Sequence, residues 1–359
     1  MLRKTRKKTL IRPDPVWRWL SILALLLCAG TALASPPPPY VIDDPADRGR
    51  LTIYTEYLAD KTASLTLNDI RSGSHDDLFI PARRGTQRLG FHNNPFWLRL
   101  AIRNSTDQNL RRVLELAPGL GSSITFFEPG VDGYRERTSG TDQATPWADM
   151  RSREQLFLLD LPAGETRLYY IRIVPTLTFG FSLSLLDVSE QAARQLSRDL
   201  PYLLIGGLMA GLILLAAGLW LNSRQPLFLY FLLFESITLL AIAASAGFIG
   251  VYWLTFPGLQ PRLETFMELL AIALASLFSI HFLKPAQRLP LLTRLLRFMS
   301  ITYAGLALFS LSLPIQSAGM LAYGGSFVGA MAFALVGIAA LHAGLQRAIL
   351  FLIARGSLL

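Results

Sequence analysis

Long apolar segments dominate the second half of the chain. Five of them carry at most one charged residue each and have about the 20 residues that a helix needs to cross a bilayer; they cover residues 200–221, 227–249, 266–283, 295–313 and 320–341. This pattern predicts a helical transmembrane bundle over residues 200–359. A last apolar stretch, residues 348–359, is too short to span a bilayer. We interpret it as the start of a truncated sixth helix, with a short interfacial or re-entrant segment as the alternative.

The first half of the chain alternates between apolar and polar positions with the period of a β-strand. Leu98, Leu100 and Ile102 fall on one face of such a segment, and Trp97 and Arg99 fall on the other. Gly, Pro, Asn and Asp separate further short segments that are rich in β-branched and aromatic residues. About eight strands of this kind predict an all-β sandwich or jelly roll. The remaining predicted strands are residues 51–57, 64–67, 113–116, 124–127, 156–159, 168–174 and 179–185.

The two patterns divide the chain into five parts. Residues 1–34 are predicted as an export signal, residues 35–50 as a proline-rich spacer, and residues 51–188 as the β-sandwich domain. Residues 189–199 form a short helical connector, and residues 200–359 form the transmembrane region. The predicted fold class is therefore a multidomain membrane protein, with an all-β extracytoplasmic domain ahead of an α-helical bundle.

Charge is concentrated at the N-terminus. The chain has 359 residues and a formal charge of +9, and residues 1–34 hold seven Lys and Arg against one acidic residue. The apolar run that follows ends in Ala32, Leu33 and Ala34, which has the form of a signal-peptidase site. We expect a cleaved signal, with an uncleaved anchor as the alternative. Because most of the basic excess belongs to this segment, a nucleic-acid partner is not expected. Only 16% of the residues are charged, against roughly a quarter in soluble domains, and this disfavours a wholly soluble chain.

The charges between the predicted helices indicate the topology. If the β domain lies outside the membrane, alternation of the helices places six basic residues on the cytoplasmic side and only Arg262 on the other side. This distribution obeys the positive-inside rule. The chain is therefore expected in the bacterial inner membrane as a multi-pass protein, with residues 35–199 in the periplasm. The six cytoplasmic residues are Arg224, Lys284, Arg288, Arg294, Arg297 and Arg347.

An ordered set of short motifs resembles a known family, the bacterial seven-transmembrane receptors with diverse intracellular signalling modules. In the β half the motifs are residues 57–60, 64–70, 96–100 with Asn104, Gly140 ahead of Arg151 or Arg153, 161–165 and 169–172. In the membrane half they are Gly206, Gly207, Gly211, residues 230–234, and Phe282 with Leu283.

The resemblance implies a jelly-roll sensor for carbohydrate-like ligands outside the membrane. It also implies seven helices that feed a cyclase, histidine kinase or phosphatase module in the cytoplasm. The chain departs from that pattern, because the seventh helix, most of the sixth and any output module are absent from it. No enzymatic activity is therefore expected of this chain, and a cytoplasmic signalling partner is expected of the full-length family.

Five residues of the β half are candidates for ligand binding. Trp97 and Arg99 share a strand face and would offer a stacking ring beside a carboxylate-binding guanidinium group. Arg151, Arg153 and Tyr170 are candidates of the same kind. The alternative is that Trp97 packs against the sheet and that the arginines only extend their charged ends to solvent.

Three acidic residues stand out in the membrane half. Glu235 lies well inside a predicted span, where a carboxylate is costly and suggests a function, with an interhelical hydrogen bond as the structural alternative. Glu264 and Glu268 lie near the periplasmic end, where exposure at the mouth of the bundle would explain them. The Gly207–Gly211 and Gly325–Gly329 spacings allow close helix packing, either within the bundle or in a homodimer.

No motif in the sequence indicates a cofactor, and no metal site is expected. His75, Asp76 and Asp77 could contribute metal ligands, but a solvated loop explains them more simply. Two classes of function remain. The first is a receptor that relays binding of a periplasmic ligand through the bundle, and the second is a membrane-anchored glycan-binding or envelope accessory protein. A transporter is disfavoured by the scarcity of polar residues and broken helices in the membrane half.

Overall fold

The structure is a computed structural model that describes residues 38–83, 85–91, 94–117, 122–140, 143, 148–176, 178–253, 256, 258–284, 289–345 and 347–356. The predicted export signal, residues 1–34, lies outside these ranges and remains a prediction. Within the described residues, an antiparallel β domain precedes a set of long apolar helices, and this confirms the predicted fold class.

Twelve described strands build two sheets. The strands are β1 (Tyr40–Ile42), β2 (Gly49–Arg50), β3 (Thr55–Ala59), β4 (Ile80–Pro81), β5 (Gln87–Phe91), β6 (Phe96–Asn104), β7 (Leu110–Ala117), β8 (Ser122–Gly130), β9 (Gly133–Gly140), β10 (Gln155–Leu161), β11 (Thr166–Pro175) and β12 (Thr178–Asp187). The first sheet has seven strands in the order β4-β3-β6-β11-β8-β9, and β1 pairs in parallel with β6. The second sheet has five strands in the order β10-β7-β12-β2, and β5 pairs with β12.

The core of the β domain lies between the two sheets. Leu98, Phe126 and Ile171 of the seven-stranded sheet pack in one buried cluster with Leu114 and Phe157 of the five-stranded sheet. Because successive side chains of a strand point to opposite faces, the apolar residues of the predicted alternation are the ones that enter this core. The side chains between them form the outer face of the seven-stranded sheet.

Several local predictions for the β half were wrong or incomplete. Residues 64–67 do not form a strand, because the Thr66 side chain and Asp69 cap each other and start a short helix, α1 (Leu67–Arg71). Strands β4, β5 and β9 were not predicted; half of the residues of β9 are exposed, and its polar sequence lacks an apolar alternation. The proline-rich spacer also contains two short strands, β1 and β2.

Seven further helices follow the β domain. They are α2 (Val188–Ser223), α3 (Pro226–Ser245), α4 (Phe248–Tyr252), α5 (Leu259–Leu283), α6 (Pro290–Ser310), α7 (Ile315–His342) and α8 (Ala348–Gly356). Five of these, α2, α3, α5, α6 and α7, are long and apolar enough to cross a membrane. Several helices begin before the predicted spans: α5 starts at Leu259 instead of residue 266, and α6 and α7 each start five residues early. Helix α3 ends at Ser245 instead of residue 249, because Gly247 takes a left-handed conformation with φ of 85°.

The predicted connector and the first predicted span form one continuous helix, α2. Asp187 caps its N-terminus by accepting a hydrogen bond from the backbone N–H of Ser189 at 2.9 Å. Its 36 residues correspond to about 54 Å at the rise of an α-helix, well beyond a hydrocarbon core of about 30 Å. The helix therefore extends out of the membrane region toward the β domain.

Helix α5 lies at the centre of the bundle, packed against α3, α6 and α7. Gly325 and Gly329 of α7 face it and its neighbour, because a Cβ on either glycine would meet side chains such as Leu269, Ile272 and Tyr303 at 3.0–3.4 Å. This pair therefore serves packing inside the bundle. A Cβ on Gly207 or Gly211 of α2 would meet no atom of the described residues within 4 Å, and the predicted homodimer remains untested.

Candidate functional site

The outer face of the seven-stranded sheet carries rows of side chains that run across its strands. The strand register places Arg172 beside both Trp97 and Thr125, and it places Tyr170 beside Arg99. Three of the predicted ligand-binding residues, Trp97, Arg99 and Tyr170, therefore come together on this face.

Trp97 is packed rather than presented to solvent. It is 1% exposed, and its ring stacks on Phe127 with the ring centroids 5.6 Å apart. Ile70 of α1 and Phe79 belong to the same small apolar cluster. The indole Nε1 of Trp97 has no hydrogen-bond partner in the part of the chain that the structure describes. Trp97 thus forms the floor of this face, under α1 and the segment that follows it.

Arg99 is held by two carboxylates of the β domain itself. Its Nε donates to Glu56 Oε2 at 2.5 Å, and its Nη1 donates to Asp76. The guanidinium group also lies 4.1 Å from the ring centroid of Phe79. Because these two carboxylates compensate its charge, Arg99 holds residues 76–79 over the sheet. The geometry does not support its predicted role as a ligand-binding residue.

A cleft of about 440 Å³ opens on the outer face, between the start of α1 and strands β6, β8, β9 and β11. Arg172 and Glu136 bring opposite charges to this cleft, and neither forms an ion pair or side-chain hydrogen bond with another described residue. Phe127 and Tyr134 add aromatic surface. The lining consists of Leu65, Thr66, Leu67, Asn68, Trp97, Thr125, Phe127, Tyr134, Glu136 and Arg172. Aromatic surface with a few convergent polar groups is typical of small-molecule sites.

The tyrosines around the cleft remain protonated. Burial raises the pKa of both Tyr134 and Tyr170 above its usual value. The Tyr134 hydroxyl donates to the backbone oxygen of Leu168 at 3.0 Å, and the Arg71 guanidinium lies 4.9 Å from the centroid of the same ring. Tyr134 therefore connects β9 to β11 and to α1, and it fixes one wall of the cleft.

Of the residues that line the cleft, the sequence analysis proposed only Trp97 as a ligand-binding residue, and it missed the charged residue Arg172. It lies two positions after Tyr170 on the same strand, so strand periodicity alone places the two side chains on one face. Its neighbours Trp97 and Thr125 come from other strands, and their proximity depends on the pairing.

Arg153 lies away from the cleft, where the β domain meets the helices. Its Nε donates to Asp199 Oδ1 of α2 at 2.9 Å, and its Nη1 donates to the backbone oxygen of Ala246, just after α3, at 3.0 Å. The guanidinium group also lies 4.8 Å from the ring centroid of Tyr202 and 4.7 Å from that of Phe248. The side chains of Arg153 and Asp199 are only 13% and 11% exposed.

Arg151 and Arg198 extend this junction. Arg151 Nε donates to the backbone oxygen of Val251, near the end of α4, at 2.7 Å. Arg198 of α2 forms a two-pronged pair with Glu115 of β7 at 2.8 and 2.9 Å. Arginines that donate to the last carbonyls of a helix also complement its dipole. We call Arg151, Arg153, Glu115, Arg198 and Asp199 the junction; Arg151 and Arg153, predicted as ligand-binding residues, belong to it and not to the cleft.

The acidic residues of the membrane half separate into two groups. Glu235 is half-buried in α3. Glu264 and Glu268 of α5 line a cavity between helices, so they are not simply exposed at the mouth of the bundle, as the sequence suggested.

The architecture defines a class: a multi-pass membrane protein whose β-sandwich domain is attached to a helical bundle. Residues 52–187 match the family described as 7TMR-DISM extracellular 2, and residues 198–359 match the one described as 7TM diverse intracellular signalling. The chain belongs to the 7TMR-DISM family of membrane receptors. The resemblance that its motifs predicted is thereby confirmed. No curated protein matches the chain.

Proposed function

We propose that the chain forms the sensing and membrane parts of a receptor in the bacterial inner membrane. In this proposal residues 35–199 lie in the periplasm, and ligand binding at the cleft changes the arrangement of the helices. A cytoplasmic signalling module, the expected partner, would respond to that change.

The junction is the observation that carries this proposal. Through Arg151 and Arg153 the β domain binds backbone oxygens next to the ends of two helices, α3 and α4. Two ion pairs, Arg153–Asp199 and Arg198–Glu115, also connect the β domain to α2. A shift of the β domain relative to the membrane would therefore displace several helices at once. A ligand can drive such a shift only by binding one arrangement more tightly than the other.

The cleft favours a carbohydrate-like ligand. The half-buried ring of Tyr134 offers a surface against which a sugar can stack, and Thr125, Asn68 and Arg172 offer donors and acceptors for its hydroxyl groups. The volume of about 440 Å³ lies in the range of small-molecule sites.

The test uses the whole chain in lipid nanodiscs. Cys28, the one cysteine of the sequence, is replaced by Ser, and spin labels are attached at Gln225→Cys and Arg294→Cys, at the far end of the bundle. Chitotriose, maltotriose, cellotriose and muramyl dipeptide are added in turn. We expect at least one of them to raise the midpoint of thermal unfolding and to shift the label-to-label distance.

Two variants separate ligand binding from transmission of the signal to the helical bundle. Arg172→Gln should weaken binding, whereas Arg153→Gln should leave binding intact and abolish the distance change. If the chain with an intact junction binds a probe without any change in the label-to-label distance, the accessory-protein alternative is favoured. Failure of all four probes to bind would contradict the carbohydrate assignment.

A further inference from the structure

A second cavity lies inside the helical bundle. It has a volume of about 480 Å³ and lies between α3, α5 and α7. Its lining consists of Phe234, Thr238, Ala241, Ile242, Ser245, Glu264, Glu268, Ala271, Ile272, Ala275, Tyr323, Ser326, Ala330 and Phe333. A volume of this size is in the range of small-molecule sites in proteins.

The polar and apolar groups of this cavity are separated along the helices. Glu264, Glu268 and Ser245 lie toward the end of the bundle that faces the β domain, because α5 starts there and α3 ends there. Phe234 of α3 and Phe333 of α7 lie deeper, with the small side chains of α5 between them. The cavity is therefore amphipathic, with an acidic end and a hydrocarbon-like end.

The acidic end has no basic partner among the described residues that line the cavity. Glu264 and Glu268 are one helical turn apart, so their carboxylates share one face of α5. Ser326 Oγ donates to Glu268 Oε1 at 2.6 Å, and the described lining includes no Lys, Arg or His. Two adjacent carboxylates in a membrane are costly unless they are protonated or a cation compensates them.

The shape of the cavity and the charge of its acidic end together indicate which kind of cation would compensate the two carboxylates. A metal ion would leave nearly all of the 480 Å³ empty, whereas an organic cation with an apolar tail fills both ends. The aromatic rings of Tyr323 and Phe333 line the same space and are suited to contact a cationic head or an apolar chain.

We propose that this cavity binds an amphiphilic organic cation. Its ammonium group lies between Glu264 and Glu268, and its hydrocarbon part extends toward Phe234 and Phe333. The occupant contacts α3 close to Ala246, whose carbonyl Arg153 binds. The site does not depend on what the β domain senses.

The probe for this proposal is decyltrimethylammonium, a permanent cation, and decanol serves as its neutral counterpart. Binding of radiolabelled probe to the full chain in micelles of the nonionic detergent dodecyl maltoside, which has no ammonium group, is measured by equilibrium dialysis, with empty micelles as the background. We expect saturable binding of one cation per chain and no saturable binding of decanol. A cation signal equal to that of empty micelles would overturn the proposal.

Matched variants test the assigned residues. Glu264→Gln with Glu268→Gln should weaken binding of the cation about tenfold or more, because charge-assisted contacts are lost. Glu235→Gln removes a carboxylate of the membrane half that is not part of the lining, and it should leave binding unchanged. Ala330→Phe fills the apolar end without touching either carboxylate and should also abolish binding. Unchanged affinity in both the double variant and Ala330→Phe would show that the cation binds elsewhere.

Discussion

Arg153 contacts three elements of the membrane half through one guanidinium group. Its partners are Asp199 on α2, the carbonyl of Ala246 after α3, and the ring of Phe248 on α4. Because Arg153 and Asp199 are both largely buried, each depends on the other to compensate its charge.

We predict that Arg153→Gln destabilises the protein by about 3–5 kcal/mol, the usual effect of leaving one member of a buried ion pair without its partner. Thermal and denaturant unfolding of the purified chain would measure this loss. Arg135→Gln removes an exposed arginine from β9 and should have little effect. The double variant with Asp199→Asn should be less damaged than Arg153→Gln alone, because it no longer buries an unpaired charge. Equal losses in all three variants would contradict this account.

The sequence predicted the position of some candidate residues but not their contacts. Alternation along one strand placed Trp97 and Arg99 on the same face, and the register adds Tyr170 to that face. It could not show that Arg99 is held by Glu56 and Asp76, because those contacts depend on how distant segments fold over the sheet. For the same reason Arg153 could be recognised as a functional candidate but not as a residue of the junction.

At the scale of whole elements, the local chemistry of α1 shapes the cleft. Thr66 and Asp69 cap the helix, and hydrogen bonds from the backbone and side chain of Thr66 lower the pKa of Asp69.

The length of the apolar segments was enough to locate the membrane helices from the sequence, because a run of about 20 apolar residues is rare in soluble domains and matches the thickness of a bilayer. Residues 64–67, which lead into α1, were predicted as a strand, and they are not one because Thr66 caps the helix that starts at Leu67.

We predict that Thr66→Ala loosens α1 and increases amide hydrogen exchange in residues 67–71 about fivefold. Thr166→Ala, a change at an exposed strand position, should not alter that exchange. The cap should also weaken in acid. The pKa of Asp69 is lower in the folded state than in the unfolded state, so its stabilising effect is present above about pH 4 and is lost as the pH falls through the folded-state pKa. Exchange in α1 that does not respond to either change would contradict the role of the cap.

Helix α2 is the covalent path from the sheet to the membrane. We predict that Ser197→Pro, in the exposed part of this helix, abolishes the ligand-dependent distance change between labels at residues 225 and 294. Proline removes a helical hydrogen bond and disrupts the helix at that point. Saccharide binding to the cleft should be unaffected, and Ser197→Ala should retain both binding and the distance change. A normal distance change in Ser197→Pro would mean that the signal does not require an unbroken α2.

For the whole molecule, the orientation of the β domain depends on more than its covalent link. A single helix, α2, leaves rotation and tilt of the domain open. The contacts of Arg151, Arg153 and Arg198 with elements of the other half restrict both. This arrangement could not be read from the sequence, because it joins residues of the β half to helix ends far away in the chain.

We therefore predict that the triple variant Arg151→Gln, Arg153→Gln and Arg198→Gln frees the β domain to sample many orientations. Spin labels at Asp132→Cys, on the β8–β9 turn, and Arg294→Cys, at the far end of the bundle, would report this in a chain that carries Cys28→Ser. The distance distribution should be narrow with an intact junction and broad in the triple variant. Replacing the exposed residues Arg88, Arg103 and Arg135 by Gln changes the net charge equally and should leave the distribution narrow. If the triple variant stays narrow, packing of the apolar surfaces orients the domain, and the charged contacts are secondary.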